Sequence, residues 1–193
     1  MNKWVIYFKI YLFPFIEAVI ALALWYLAYG DIFSIGFKFA LNKGSLIASL
    51  ISVSLIGGMW FRFFEALSDK SKYDHIKEKL KSTQIFLPTS SIQLRFFIPM
   101  VIIGGIAEEI LFRGYLIGYL SNFTSLGIAL LLSSAIFGFA HLYQGWKSLF
   151  KLSIGGLVLG ALYIMSGSLL FSIVVHISMN SSIIALSVLV NKE

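Results

Sequence analysis

Cysteine is absent from this 193-residue chain, so disulfides, thiolate nucleophiles and cysteine-ligated metals are excluded. Charge is scarce: Asp, Glu, Lys and Arg make up 12% of the residues, against about 25% in a soluble domain. The only aspartates, Asp31, Asp69 and Asp74, fall between the long apolar runs, which removes a paired intramembrane aspartate site. There is no Gly-x-Ser-x-Gly nucleophile motif. Internal repeats, low-complexity tracts and domain linkers are also missing.

What remains is apolar. Hydrophobic residues account for 59% of the chain and the mean hydropathy is +0.89. At roughly 20 residues per crossing, that length predicts an all-α polytopic membrane bundle of about six spans. They are expected at residues 10–29, 45–64, 96–120, 125–142, 152–165 and 169–190. Trp25, Tyr26 and Tyr29 read as an interfacial aromatic belt, and Gly57-Gly58 as a close-packing point on the second span. Lys3 and Lys9 before an apolar stretch give the N-terminus the look of a signal peptide. The run is too long for one and carries Pro14 and Glu17, so it reads as a retained helix.

Residues 31–43 are expected as a short amphipathic link and 143–151 as a loop. Residues 65–95 form the one long polar stretch, read as a solvated loop in which Ile76 and Leu80 permit a short surface helix. This divides the chain into a two-helix N-terminal membrane region with a basic loop, residues 1–95, and a helical core, residues 96–193. The net charge of +6 lies between the spans, which points to orientation and anionic membrane lipids rather than nucleic acid. Six spans place 12 of the 15 Lys and Arg on one side, and the positive-inside rule then puts both termini in the cytoplasm.

The third span carries Glu108, Glu109 and Arg113. At the centre of a membrane helix a charged side chain costs roughly 2.5–3.5 kcal/mol, and such residues usually face a bundle interior. Two further i,i+4 pairs follow on separate apolar helices: Phe137 with His141, and His176 with Asn180. Residues four apart share a helix face, so three helices each aim one polar stripe at a common point. Six polar chains in these stripes would together cost about 10 kcal/mol or more if buried without function. Glu17 has no second residue nearby to complete a site, and His75 reads as a surface histidine.

Glu108 lies about 100° round the helix from Glu109, so the two carboxylates are free to differ in role. Glu109 is placed to pair with Arg113. Glu108 is left to meet the histidines as a general base. In that reading Glu108 and His141 hold a water, His176 and Asn180 stabilise an oxyanion, and Phe137 sets the His141 rotamer. A proton-coupled transporter would use similar groups, but the chain has no second matching half.

Glu108-Glu109-x-x-x-Arg113, Phe137-x-x-x-His141 and His176-x-x-x-Asn180, in this order, resemble the three motifs of the CAAX protease and bacteriocin-processing (CPBP, or Abi) family. Phe112-Arg113-Gly114 and Gly167-Ser168-Leu169 also look like that family. The resemblance covers residues 97–181. It implies an intramembrane endopeptidase in a bacterial cytoplasmic membrane, acting on membrane-associated peptides or proteins, with residues 96–193 as the catalytic core. It also implies an alternative, a non-enzymatic bacteriocin self-immunity or binding protein. No cofactor is expected, although the family has also been viewed as metal-dependent, with Glu108, His141 and His176 as zinc ligands. The metal-free scheme is favoured because no His-Glu-x-x-His pair anchors a metal on one helix.

One depth conflict arises. His141 would lie about 24 Å from the outer end of its helix and His176 only about 10 Å, at 1.5 Å per residue. The expected resolution is a short fifth helix whose turn at Gly167 stops below the outer surface.

Overall fold

The computed structural model describes residues 3–81, 87–88 and 90–190. The described chain is helical: α1 (Lys3–Tyr29), α2 (Lys43–Ser68), α3 (Lys70–Lys81), α4 (Ser91–Glu109), α5 (Gly118–Leu120), α6 (Leu126–Ala140), α7 (Trp146–Ser166) and α8 (Leu169–Val190). α4 runs into α5 through a π-helical segment, Ile110–Ile117, so the three form one rod. Four helices (α1, α2, α7 and α8) are long and apolar enough to cross a membrane, and α6 is a shorter apolar helix. This is a multi-pass membrane bundle.

α8 organises the packing. Its start joins a cluster with Ala18, Trp25, Ile35, Ala107 and Ile110. Phe171 and Val175 pack with Ala48, Leu159 and Leu162, and Ile184 packs with Phe97 and Val101. Polar clasps add direction at the same contacts: Ser172 donates to the Leu159 carbonyl at 2.7 Å, and Trp60 Nε1 donates to Ser178 Oγ at 3.1 Å. Lipid tails are as apolar as the helices, so such clasps and small-residue contacts carry association.

The close-packing glycines are not those expected. A Cβ at Gly57 or Gly58 would meet nothing, and both are exposed. At Gly138 it would sit 2.7 Å from the Leu149 carbonyl, and at Gly156 it would sit 3.1 Å from Ser134 Cα. Glycine therefore brings α6 and α7 together. Trp25 departs from the expected belt as well. It is buried against Gly118 and donates to Ser34 Oγ at 2.9 Å, whereas Tyr26 and Tyr29 are exposed.

Residues 143–151 are not a loop throughout. Gly145, at a φ of 99° open to glycine, lets the chain enter α7 at Trp146. α7 is therefore 21 residues long rather than short. The connection between α1 and α2 instead covers the α7–α8 turn. Its 3₁₀ turn, Ile32–Ile35, is capped by Asp31, whose side chain accepts from Phe33 N. The Lys38 ammonium and that N–H hold the Asp31 carboxyl below the usual carboxylate range. Leu169 N donates to the Gly36 carbonyl at 2.8 Å and Tyr163 Oη to the Ile35 carbonyl at 3.0 Å. Ser166, Ser168 and Leu169 are buried as a result, so the turn is not the outermost layer.

The polar stretch after α2 folds in part as a helix. Asp69 caps α3 by accepting from Ser71 N at 2.8 Å and Lys72 N at 3.2 Å, and Lys72 pairs with Glu65. An Asp followed by a 12-residue stretch rich in Lys and free of Gly and Pro is a start signal that the loop reading passed over.

Gly138→Ala is expected to destabilise the bundle by about 1–3 kcal/mol, the usual range for overpacking. Gly57→Ala, in open space, is expected to be neutral or stabilising. Thermal unfolding of the two variants in detergent, beside the parent, checks both.

Candidate active site

The site is built where α4 gives way to the π segment. A π turn holds one residue more than an α turn, and such segments occur frequently at functional sites. The sequence reading assumed 3.6 residues per turn throughout; the structure departs from this at Ile110. The transition is pinned from α6, where Ser133 Oγ donates to the Phe112 carbonyl at 2.7 Å.

Glu109 is the deepest group, at 0% exposure, with Arg113 at 1% and His176 at 3%. Arg113 donates to Glu109 Oε1 at 2.7 Å, and His176 Nδ1 approaches the same oxygen at 2.6 Å. Because Glu109 Oε1 already accepts from a guanidinium, it is the acceptor here too, and His176 Nδ1 carries the proton. That leaves His176 Nε2 outward, 3.7 Å from Glu108 Oε2.

His141, the residue that ends α6, is arranged in parallel. Its Nδ1 lies 2.9 Å from the Phe137 carbonyl, which can only accept, so Nδ1 is again the donor. Its Nε2 faces Glu108 Oε2 at 3.8 Å. Both gaps are too long for a hydrogen bond, and a single water can bridge contacts of this length. Glu108 thus faces two imidazole nitrogens whose tautomers are set from behind.

Phe137 holds these groups in place. Its ring lies 4.4 Å below the Arg113 guanidinium carbon, 4.6 Å from the His141 ring and edge-on to His176 at 6.0 Å. Phe112 meets it edge-to-face at 5.1 Å. A cation over a desolvated ring contributes about 2 kcal/mol, which offsets part of the cost of burying Arg113. Arg113 Nη2 and Glu109 Oε2 have no hydrogen-bond partner among the described residues.

A cavity of about 410 Å3 opens onto Glu108 and His141, walled by Phe13, Glu17, Phe112 and Tyr143 among others. Tyr143 stacks beside His141 at 5.9 Å. Burial pushes its phenol up from the ordinary value, so at neutral pH it keeps its proton. Asn180 is half-buried on α8, one turn beyond His176, and makes no hydrogen bond with the described residues. Five of the six candidates meet, and Asn180 is on the same helix as His176 without a hydrogen bond to them.

Sequence reasoning missed Tyr143 and underrated Glu17. Tyr143 carried one signal, its place two residues after His141. Glu17 carried none, because the cavity it lines is closed by residues about 90–130 positions away.

Residues 90–182, just under half of the chain, match the family model described as "Type II CAAX prenyl endopeptidase Rce1-like". That segment is of the CPBP, or Abi, family. It holds every candidate residue named above except Glu17. No curated protein and no solved structure matches the chain. The family likeness thus rests on the α4–α8 core, while α1 and α2 lie outside the matched segment.

Removing one partner of a buried ion pair leaves an uncompensated charge and costs about 3–5 kcal/mol. Arg113→Met is expected to destabilise by that order. Adding Glu109→Gln should recover more than half of the loss. A double-mutant cycle by thermal or chemical denaturation in detergent checks this.

Proposed function

We propose that this chain is an intramembrane endopeptidase that hydrolyses peptide bonds with a water activated by Glu108. The observation that carries the reading is the pair of tautomers fixed behind the site. With both Nδ1 atoms committed as donors, both Nε2 atoms face Glu108, and in the proposed scheme that of His141 accepts. A water between them gives one hydrogen to the Glu108 carboxylate and the other to His141 Nε2. Its oxygen lone pair is then free to attack a carbonyl carbon.

As the water attacks, its proton passes to Glu108 and negative charge gathers on the carbonyl oxygen. His176 Nε2 donates to that oxygen only as an imidazolium. Glu109 Oε1, 2.6 Å from Nδ1, accepts the other proton of that imidazolium. Asn180 supplies the second donor, and a positioned donor at an oxyanion is worth about 10²–10³ in rate. Collapse of the tetrahedral intermediate breaks the C–N bond, and Glu108 returns its proton to the leaving amine. Arg113 touches no reacting atom in this scheme and positions Glu109.

The scheme is metal-free. Tetrahedral zinc ligands at about 2.0–2.1 Å from the ion lie about 3.4 Å apart, and the Glu108–histidine separations of 3.7 and 3.8 Å are more open. Among the described residues no group of three or more His, Cys, Asp or Glu is arranged to hold a metal ion. The setting proposed for this chemistry is a bacterial cytoplasmic membrane with both termini inside.

Glu108→Gln and His141→Ala are expected to lower cleavage by about 10²–10⁴, the range for a lost general base or its partner. Comparing membrane peptides from cells carrying the parent chain or Glu108→Gln identifies substrates and reads the loss. Undiminished cleavage by Glu108→Gln overturns the mechanism. Treatment of the purified protein with 1,10-phenanthroline is expected to leave cleavage unchanged, and inactivation reversed by added zinc overturns the metal-free scheme.

A further inference from the structure

The cavity in front of Glu108 has a second carboxylate in its wall. Glu17 sits midway along the 27-residue α1 and lines the cavity together with Glu108 and His141. Its side chain is exposed and makes no hydrogen bond or ion pair with any described residue. An acid at this place in an apolar span is expensive unless it faces water or a partner. Glu109 is turned to Arg113 and His176, and His141 to Phe137, whereas Glu17 has no such partner among the described residues.

The charges facing the cavity are one-sided. Glu17 and Glu108 are carboxylates, Tyr143 is a phenol that keeps its proton, and Arg113, the guanidinium at this depth, is spent on Glu109. Apolar walls from Phe13, Pro14 and Phe112 surround the acids. A site of this kind discriminates by charge: it leaves an acidic side chain unpaired and repelled, and it pairs a cation in a poorly hydrated setting. Pro14, three residues before Glu17, has no backbone N–H to donate to the preceding turn of α1, so one helical hydrogen bond is missing where the helix borders the cavity.

We propose that Glu17 is a specificity-determining residue that binds an ammonium or guanidinium group of the substrate next to the scissile bond. The substrate class is an apolar, membrane-associated peptide with one basic group close to the cleaved position. The group is a Lys or Arg side chain or a free α-amine, since the three share the same chemistry towards a carboxylate. This inference rests on the endopeptidase reading for the words "scissile bond", but the cation site itself is testable without turnover.

The test uses the full chain in nanodiscs and a set of fluorescent apolar peptides. The peptides are identical except that one position carries Lys, Arg, norleucine or Glu, and each is made with a free and an acetylated α-amine. Binding is measured by fluorescence polarisation on Glu108→Gln and on Glu108→Gln/Glu17→Gln. The expected result is a Kd at least about tenfold lower for a cationic peptide than for its norleucine or acetylated counterpart. Glu17→Gln should abolish that preference and leave norleucine binding unchanged, and Glu17→Lys should turn the preference towards Glu. Which arm shows the effect assigns the cation to a side chain or to the α-amine. Equal Kd values across the set, or a preference that survives Glu17→Gln, overturn the proposal. Cleavage of the same peptides by the parent chain reads the other question. A cation preference in binding with no cleavage counts against the endopeptidase reading and leaves the Glu17 site standing.

Discussion

One carboxylate oxygen sets the geometry of this protein. Glu109 Oε1 accepts from Arg113 at 2.7 Å and from His176 at 2.6 Å, entirely out of contact with solvent. With two donors converging on it, this oxygen serves both as a shared acceptor. The pair ties the α4 rod to α8 and dictates which nitrogen of His176 faces the cavity. Glu108, next in sequence, is spared this duty. It keeps only the long approaches to the two histidines and the opening to the cavity.

Aromatic packing completes what the ion pair begins. Phe137 touches the guanidinium and both imidazoles, so one ring fixes three polar groups from three elements. A Leu, smaller than Phe, would leave part of this space empty and offer Arg113 no π face. Close contact between α6 and α7 through Gly138 and Gly156 keeps that ring at its depth. The candidate site is thus a consequence of core packing, with polar groups carried on helices whose positions are settled by small residues and clasps.

How much of this could be read in the sequence depended on distance along the chain. Glu109 with Arg113, and His141 with Phe137, are four residues apart, and helical periodicity alone brings them together. The bond between His176 and Glu109 spans 67 residues, and periodicity could say only that both face inward. Glycines were misread because composition does not tell which face a helix turns to a neighbour: Gly57 and Gly58 look outward, Gly138 and Gly156 inward. The start of α7 was lost because Trp146 and Lys147 look like loop residues, while the positive φ of Gly145 lets the helix begin at once. Trp25 was assigned to an interface by residue type, but it fills the space that Gly118 leaves.

The π segment lets one rod serve two sets of neighbours. On its N-terminal side, Phe97 and Val101 pack with Ile184 of α8. On the far side, Gly118 lies under Trp25 of α1, and Ile117 reaches Gly160 of α7. A regular helix keeps one stripe in phase along its length, and a change of partner would ordinarily need a bend. The additional residue in the turn instead advances the phase between the two halves. The segment behaves as a fixed gear between α8 and the α6–α7 side, with α1 packed along both halves. Losing a single residue from it would leave each half well packed by itself but out of step with the other, with Arg113 caught at the mismatch.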